Sequence, residues 1–244
     1  MKNRYAFSKS SLCAWMKMLV LVMLTFNALY LPSKAEASSP PCGLTIITHG
    51  YQSDTKENGW VSDMAQAINS RMGNNVPIGT IYIIEDKSKG AKFDESRDPD
   101  INLTSGTAII LVDWSDVDGG VAPFTVPTSV IGDIIFTYLE NHPGLLKVPI
   151  HLIGHSRGGS VMSHLSERLG EISVWVDQLT TLDPQPIYDD ADLNVYDNVL
   201  FADNYYQTIR STDIIPLYGS PVDNAYNLDI TERLPWGYPL KISR

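Results

Sequence analysis

The sequence predicts an α/β domain with a mostly parallel central sheet and helices on both of its faces. Short apolar, β-branched segments typical of buried strands alternate along the chain with segments whose apolar residues recur at helical spacing. Parallel strands need long crossover connections, which are right-handed and place helices against the sheet. Because reactive groups in such folds collect where the strands end, we expect any functional site at the carboxyl edge of the sheet.

The predicted elements follow one another in regular order. Apolar runs predict strands at 44–48, 80–84, 107–112, 148–154, 174–176, 179–182 and 204–209. Helical spacing predicts helices over 58–72, over 128–140 and from Ser156 to just before Gly170. The charged segment 87–105, which contains Gly90 and Pro99, and the segment 116–120 are predicted to be loops.

The segment Gly154-His155-Ser156-Arg157-Gly158 lies between a predicted strand and a predicted helix. A G-x-S-x-G pattern in that setting is typical of a nucleophile elbow, a strained turn that lifts a serine hydroxyl above the sheet. Gly154 and Gly158 leave room for the backbone to pass closely at the turn. We therefore predict Ser156 to be a nucleophile. A chance occurrence of the pattern is the alternative.

Two further groups end predicted strands and should lie at the same edge. Asp183 follows the strand after the elbow, where a carboxylate could orient the base that activates Ser156. A simple turn at Asp183-Pro184 is the alternative. An oxyanion needs two N–H donors, for which we nominate the amides of Tyr51, after the first strand, and of Arg157.

The order of these motifs resembles that of secreted lipases of the pancreatic-lipase type and their bacterial relatives, within the α/β-hydrolase superfamily. The motifs that carry the resemblance are His49-Gly50-Tyr51, Val112-Asp113-Trp114, the helix over 130–139, the elbow and Leu182-Asp183-Pro184. It implies an α/β-hydrolase fold and a serine esterase or lipase with the site residues named above. Arg157 departs from the vertebrate pattern, in which leucine is usual at this position. Peptidases, thioesterases and cutinase-like enzymes use the same apparatus.

The catalytic histidine is not identified. The resemblance implies a histidine on a loop after Asp183, yet all five histidines precede Asp183: His49, His142, His151, His155 and His164. Two hypotheses explain this. Either the hydrolase domain, over residues 38–244, is incomplete at its C-terminus, or the protein is a degenerate, non-catalytic binding module with the hydrolase fold.

Residues 1–37 are predicted to be a secretory signal peptide, which indicates a secreted or periplasmic protein. Basic residues precede the 14-residue apolar segment 18–31, and Ala35-Glu36-Ala37 fits a cleavage site. The apolar segment is shorter than the roughly 20 residues of a membrane-spanning helix, so we expect no stable membrane anchor. Beyond it Cys42 is the one remaining cysteine, which excludes an internal disulfide there.

The charge of the chain bears on its partners and cofactors. With 18 basic and 28 acidic residues the formal net charge is −10, which argues against nucleic acid or an anionic membrane as a partner. The substrate that the resemblance implies is an ester or a lipid. After Asp183 the chain carries Asp189, Asp190, Asp192, Asp197 and Asp203. Their spacing lacks an EF-hand pattern, so a solvated acidic loop is favoured over Ca²⁺ binding, and no cofactor is expected.

Overall fold

The computed structural model describes residues 43–51, 59–99, 101, 107–118, 126–187, 189–208 and 218–233. Its centre is one eight-stranded sheet in the order β3-β2-β4-β1-β5-β6-β7-β8. The strands are β1 Gly43–Thr48, β2 Ile78–Asp86, β3 Gly90–Phe93, β4 Thr107–Asp113, β5 Ile150–His155, β6 Gln178–Leu182, β7 Ala202–Tyr206 and β8 Tyr226–Asp229. All neighbouring pairs are parallel except β2 and β3.

Helices pack on both faces of this sheet. They are α1 Gly59–Arg71, α2 Ser115–Asp118, α3 Thr128–Asn141 and α4 Arg157–Glu171. Alternate side chains of β1 contribute to two separate apolar clusters: Ile46 lies in the one with α3 and α4, and Ile47 in the one with α1. The prediction of a mostly parallel α/β fold with helices on both faces is confirmed. In this part of the chain no helix is long and apolar enough to span a membrane.

The prediction of a loop over 87–105 is wrong for its first half. Asp86 accepts hydrogen bonds from the amides of Ser88 and Lys89, and Gly90 takes a positive φ of 84°. This turn brings β3 antiparallel to β2 and buries Ala91. A short 3-10 helix, Glu95–Arg97, follows. The local turn chemistry therefore overrides the polar composition of the segment.

The loop predicted over 116–120 is also wrong where it can be described. Residues 115–118 form α2, in which the Trp114 carbonyl accepts the amides of Val117 and Asp118. The Asp113 carboxylate accepts hydrogen bonds from the amide and hydroxyl of Ser115 at its start. Residues 119–120 lie outside the described part of the chain. Two further 3-10 helices are Leu145–Lys147 and Thr231–Arg233.

The last strands differ most from the sequence prediction. β7 starts two residues earlier than expected, at Ala202, which pairs with Leu179. It ends before Gln207, whose amide donates to the carboxylate of Asp183 instead of extending the strand. Segment 174–176 supplies only an isolated bridge at Val176, and β8 was not predicted. The predicted signal peptide, Cys42 and residue 209 lie outside the described residues.

Candidate active site

Ser156 occupies a strained turn between β5 and α4. Its φ of 52° and ψ of −124° lie in a region that non-glycine residues rarely adopt. The turn is held on both sides, because the Ser156 amide donates to the carbonyl of Leu182 at 2.9 Å and the Ser156 carbonyl accepts from Gly159 at 3.0 Å. The turn presents Ser156 at the carboxyl edge of the sheet, with the strained backbone that a nucleophile elbow would require.

The elbow depends on glycines at three close approaches. A β-carbon on Gly154 would overlap the carbonyl of Gly158, and one on Gly158 would overlap the carbonyl of His49. A β-carbon on Gly50 would lie 2.5 Å from Ser156 Cβ and 3.0 Å from its Oγ. The first strand's loop therefore packs directly against the serine, and only glycine fits between them.

We expect Gly50→Ala to displace the Ser156 hydroxyl and to lower any Ser156-dependent rate by about 100-fold, because misplacement of a reacting group by about 1 Å has that cost. Titration with a fluorophosphonate, followed by mass spectrometry of the Ser156 peptide, measures the rate. Gly59→Ala serves as the control, because Gly59 does not have a positive φ and no atom of the described residues lies within 4 Å of the place that its β-carbon would take. Equal labelling of Gly50→Ala and wild type would contradict this interpretation.

Gly50, Ser156 and Asp183 lie side by side at one edge of the sheet. β1, β5 and β6 are consecutive, with Thr48 paired to Gly154 and His155 paired to Leu182. The first loop, the elbow and Asp183 therefore follow their strands at adjacent positions. The structure brings together the groups that the sequence placed at strand ends.

His49 shapes the loop that carries Tyr51. Its Nε2 accepts a hydrogen bond from the Trp114 amide at 3.1 Å, so its Nδ1 carries the proton and donates to the Gly50 carbonyl at 2.6 Å. The imidazole also stacks on the Trp114 indole, with ring centroids 5.3 Å apart. Both ring nitrogens are engaged, so His49 holds the loop and is not positioned as a base.

The two proposed oxyanion donors are available at this edge. Tyr51 follows Gly50, and its amide donates no hydrogen bond to another described residue. The amide of Arg157 is the first of α4 and has no intrahelical acceptor. The Tyr51 side chain is half exposed, at 51 %. The arrangement leaves two N–H groups for an oxygen that develops negative charge.

The side chain of Arg157 is buried, which the sequence did not indicate. Its guanidinium contacts the carboxylate of Asp118, donates to Asp190 at 2.7 and 2.9 Å, and donates to the Val126 carbonyl at 3.0 Å. Burial lowers the pKa of Arg157, but these carboxylates outweigh burial and raise it. The group is therefore a charged cation enclosed by two anions.

Asp183 is held as a hydrogen-bond acceptor. Its φ of 48° is left-handed, and its carboxylate accepts three hydrogen bonds: Oδ1 from the amides of Gln207 and Gly219, at 3.0 and 2.8 Å, and Oδ2 from the Gln207 side-chain amide at 2.9 Å. Each carboxylate oxygen has two lone pairs. Oδ1 is thus saturated, whereas Oδ2 can accept one more donor.

No imidazole in the described structure hydrogen-bonds with Ser156 or Asp183, although all five histidines are described. His142 Nδ1 contacts the Tyr138 carbonyl, His151 Nε2 contacts Thr180 Oγ1, and His164 contacts Asp133 and Glu167. His155 packs against Trp60, with centroids 5.4 Å apart, and burial lowers its pKa although the charge of Asp183 opposes this. The base therefore stays unassigned.

The expectation of a solvated acidic loop is wrong for two of its five aspartates. Asp189, Asp192 and Asp197 are exposed, but the Asp190 carboxylate is fully buried against Arg157. Asp203 lies in β7 and accepts from Thr180 Oγ1 at 2.7 Å. In the described part of the chain no group of three or more His, Cys, Asp or Glu side chains could hold a metal ion.

Asp113, next to the site, is also strongly engaged. Burial raises the pKa of Asp113, whereas the hydrogen bonds that its carboxylate accepts from the hydroxyl and amide of Ser115 lower it. Gln207, Gly219, Asp118 and Asp190 were missed by the sequence analysis. Their partners are 24 to 39 residues away, and no local pattern links them.

Comparisons with known proteins add little to this geometry. No family model matches the chain, and no curated protein matches it. Among solved structures the chain is similar to a candidate cell surface hydrolase from Lactobacillus plantarum WCFS1, with a TM-score of 0.45 and 11 % identity over 73 % of this chain and 74 % of that one. The fold assignment above therefore depends on the sheet order and the elbow.

Proposed function

We propose that this protein is a serine hydrolase that cleaves carboxylic esters, with Ser156 as the nucleophile. The observation that carries the proposal is the strained backbone of Ser156 at the end of β5, beside Asp183 at the end of β6. Strain of this kind persists only where surrounding structure enforces it, and it is concentrated at functional sites. The choice of esters, and of lipid esters in particular, depends on the resemblance of the motifs to secreted lipases.

The geometry supports an acyl-transfer reaction. Ser156 Oγ would attack the ester carbonyl carbon while its proton passes to a base, and the amides of Tyr51 and Arg157 would bind the resulting oxyanion. The base would return the proton to the leaving alcohol, and water would then release the acid from the acyl-enzyme. Asp183 Oδ2, which can accept one more hydrogen bond, suits an N–H of an imidazole base.

Imidazole in solution provides a direct test of this scheme, because it can act as the base without a histidine of the chain. We expect added imidazole to raise the rate of p-nitrophenyl butyrate hydrolysis by at least about tenfold, a fraction of the about 10²–10⁴-fold that a positioned base contributes. The measurement is the rate above that of Ser156→Ala at each imidazole concentration, which removes hydrolysis by imidazole itself.

Asp183→Asn is the second variant for the imidazole experiment. It keeps the size of the side chain but loses the negative charge that stabilises an imidazolium, so we expect most of the imidazole effect to disappear. Asp189→Asn, at an exposed position, is the matched control and should behave as wild type. If the wild-type protein with imidazole reacts no faster than Ser156→Ala, the proposal of a serine hydrolase is wrong.

The second candidate function is a binding module without catalysis. It is favoured by the engagement of all five imidazoles with other partners. Calorimetric titration of Ser156→Ala and wild type with octylphosphonic acid separates the two functions. Saturable binding together with no Ser156-dependent turnover would favour the binding module, whereas absence of saturable binding would exclude it for this class of ligand.

We also propose that residues 1–37 direct export, so that the mature protein is secreted or periplasmic. The support is the basic start, the 14-residue apolar segment and the small residues Ala35 and Ala37. N-terminal sequencing of the protein recovered from the culture medium or periplasm should begin at Ser38. Recovery only in the cytoplasm with an intact N-terminus would reject export.

A further inference from the structure

The side chain of Arg157 joins three separate segments around the elbow. Asp118 is the last residue of α2, Val126 precedes α3, and Asp190 lies in the loop between β6 and β7, hereafter the acidic loop, residues 184–201. Arg157 is 3 % exposed and Asp118 is 1 % exposed. The guanidinium of Arg157, the residue after Ser156, thus holds together the segments that follow β4 and the loop that follows β6.

This cluster is expensive to bury and adds little to stability. Two carboxylates and one guanidinium lose their hydration, and replacing a whole buried ion cluster by apolar residues is often neutral or stabilising. A leucine at position 157 would need no partners at all. The use of an arginine here therefore indicates a requirement for one defined geometry.

The acidic loop is also fixed by hydrogen bonds within itself and to α3 and α4. Asp190 also accepts the Ile187 amide at 2.9 Å, and the Ala191 amide donates to Thr128 Oγ1 at 2.8 Å. Asn194 donates to Ser163 Oγ at 2.8 Å. Arg157 provides the one charged contact among these, through Asp190.

The guanidinium also lies near the Trp114 indole, which packs against the loop that carries Tyr51. Its central carbon lies 5.1 Å from the centroid of the Trp114 ring, and the same indole stacks with His49, which holds the Gly50 carbonyl. Trp114 therefore contacts both His49, which holds the loop of the Tyr51 amide, and the side chain of Arg157, whose own amide is the second proposed donor. A shift of Arg157 would change the distance between the two donors.

We propose that the Arg157 side chain is a positioning residue, which fixes its own amide and the acidic loop by anchoring them to Asp118, Asp190 and Trp114. The inference rests on the proposed function for its catalytic consequence, but the anchoring itself is a property of the folded protein. Arg157 acts through its backbone amide and its neighbours, and its guanidinium contacts no reacting atom.

Two variants test the proposal. Arg157→Lys keeps the positive charge but loses the planar fork that contacts both aspartates, and the triple variant Asp118→Leu, Arg157→Leu, Asp190→Leu removes all three charges together. We expect the triple variant to unfold within a few degrees of wild type and yet to show an imidazole-stimulated kcat lowered about 10–100-fold, with KM changed less than about threefold. Arg157→Lys should restore part of kcat.

Hydrogen–deuterium exchange provides the readout that does not need turnover. Amides of the acidic loop should exchange at least about tenfold faster in both variants than in wild type, while those of the β2–β3 hairpin should be unchanged. A wild-type kcat with unchanged loop exchange in both variants would overturn the proposal. If wild type shows no Ser156-dependent turnover, the proposed function fails, and the exchange result alone then decides whether Arg157 anchors the loop.

Discussion

Replacing Arg157 alone with leucine is expected to lower the free energy of unfolding by about 3–5 kcal/mol, because it leaves buried aspartates without a counter-charge. The Asp190 carboxylate is fully buried and Asp118 is 1 % exposed, so water cannot take the place of the guanidinium. Equilibrium unfolding in urea, monitored by tryptophan fluorescence and far-ultraviolet circular dichroism, measures the difference.

Arg168→Leu in the same helix is the matched control. Arg168 is one-third exposed and pairs with Asp133 and Glu171 at the surface, where an ion pair contributes about 0–1 kcal/mol. We therefore expect a small change for Arg168→Leu and a large one for Arg157→Leu. If the two variants lose similar amounts of unfolding free energy, burial of the Arg157 cluster has no special energetic role.

The second large effect is expected at Gly154. Its added β-carbon in Gly154→Ala would overlap the Gly158 carbonyl and lie 2.7 Å from the Gly159 amide nitrogen, and both of these atoms belong to the backbone of α4. A flexible side chain could move away, but here the start of the helix must shift. We expect a loss of at least about 3 kcal/mol in the free energy of unfolding, at the upper end of overpacking effects.

Gly59→Ala supplies the comparison for this variant, measured by the same urea titration. Gly59 begins α1, and no atom of the described residues lies within 4 Å of the position that an added β-carbon would occupy. Alanine there reduces the freedom of the unfolded chain and should leave stability unchanged or raise it by up to about 1 kcal/mol. If Gly154→Ala is as stable as wild type, the backbone of residues 158 and 159 can move away from residue 154 at little cost, contrary to this prediction.

The parts of the fold that the sequence predicted well are those coded by continuous local patterns. β1, β4 and β5 are β-branched and buried on both faces, and α3 repeats its apolar residues at helical spacing, so their positions follow from short segments. The G-x-S-x-G motif is similarly local, because Gly154, Ser156 and Gly158 lie within five residues of one another, whereas its close contact with Gly50 is not local.

The parts that were missed depend on long-range partners or on turn chemistry. β8 is short and mostly exposed, and it exists because it pairs with β7. β3 depends on the Asp86 turn and on Gly90. Short segments of this kind have little hydrophobic periodicity, so tertiary pairing decides their structure.

The candidate site shows the same division. Ser156 and Asp183 stand at strand ends and could be placed from the sequence. The partners of Asp183 are Gln207, directly after β7, and Gly219, which lie 24 and 36 residues away along the chain. Asp190 looked like one of several solvated acids, since nothing in the local sequence separates it from Asp189. Its burial follows from Arg157, 33 residues away.

The antiparallel β3 strand has a consequence for how copies of the protein behave in concentrated solution. Within the described part of the chain it is the outermost strand, and one side of its backbone has no neighbouring strand there, which is the usual template for edge-to-edge aggregation. β3 has only four residues, its Lys92 side chain is exposed, and Lys89 stands in the turn just before it. A second copy approaching this edge would meet like charges along a very short strand, so the hairpin protects the sheet from self-association on that side.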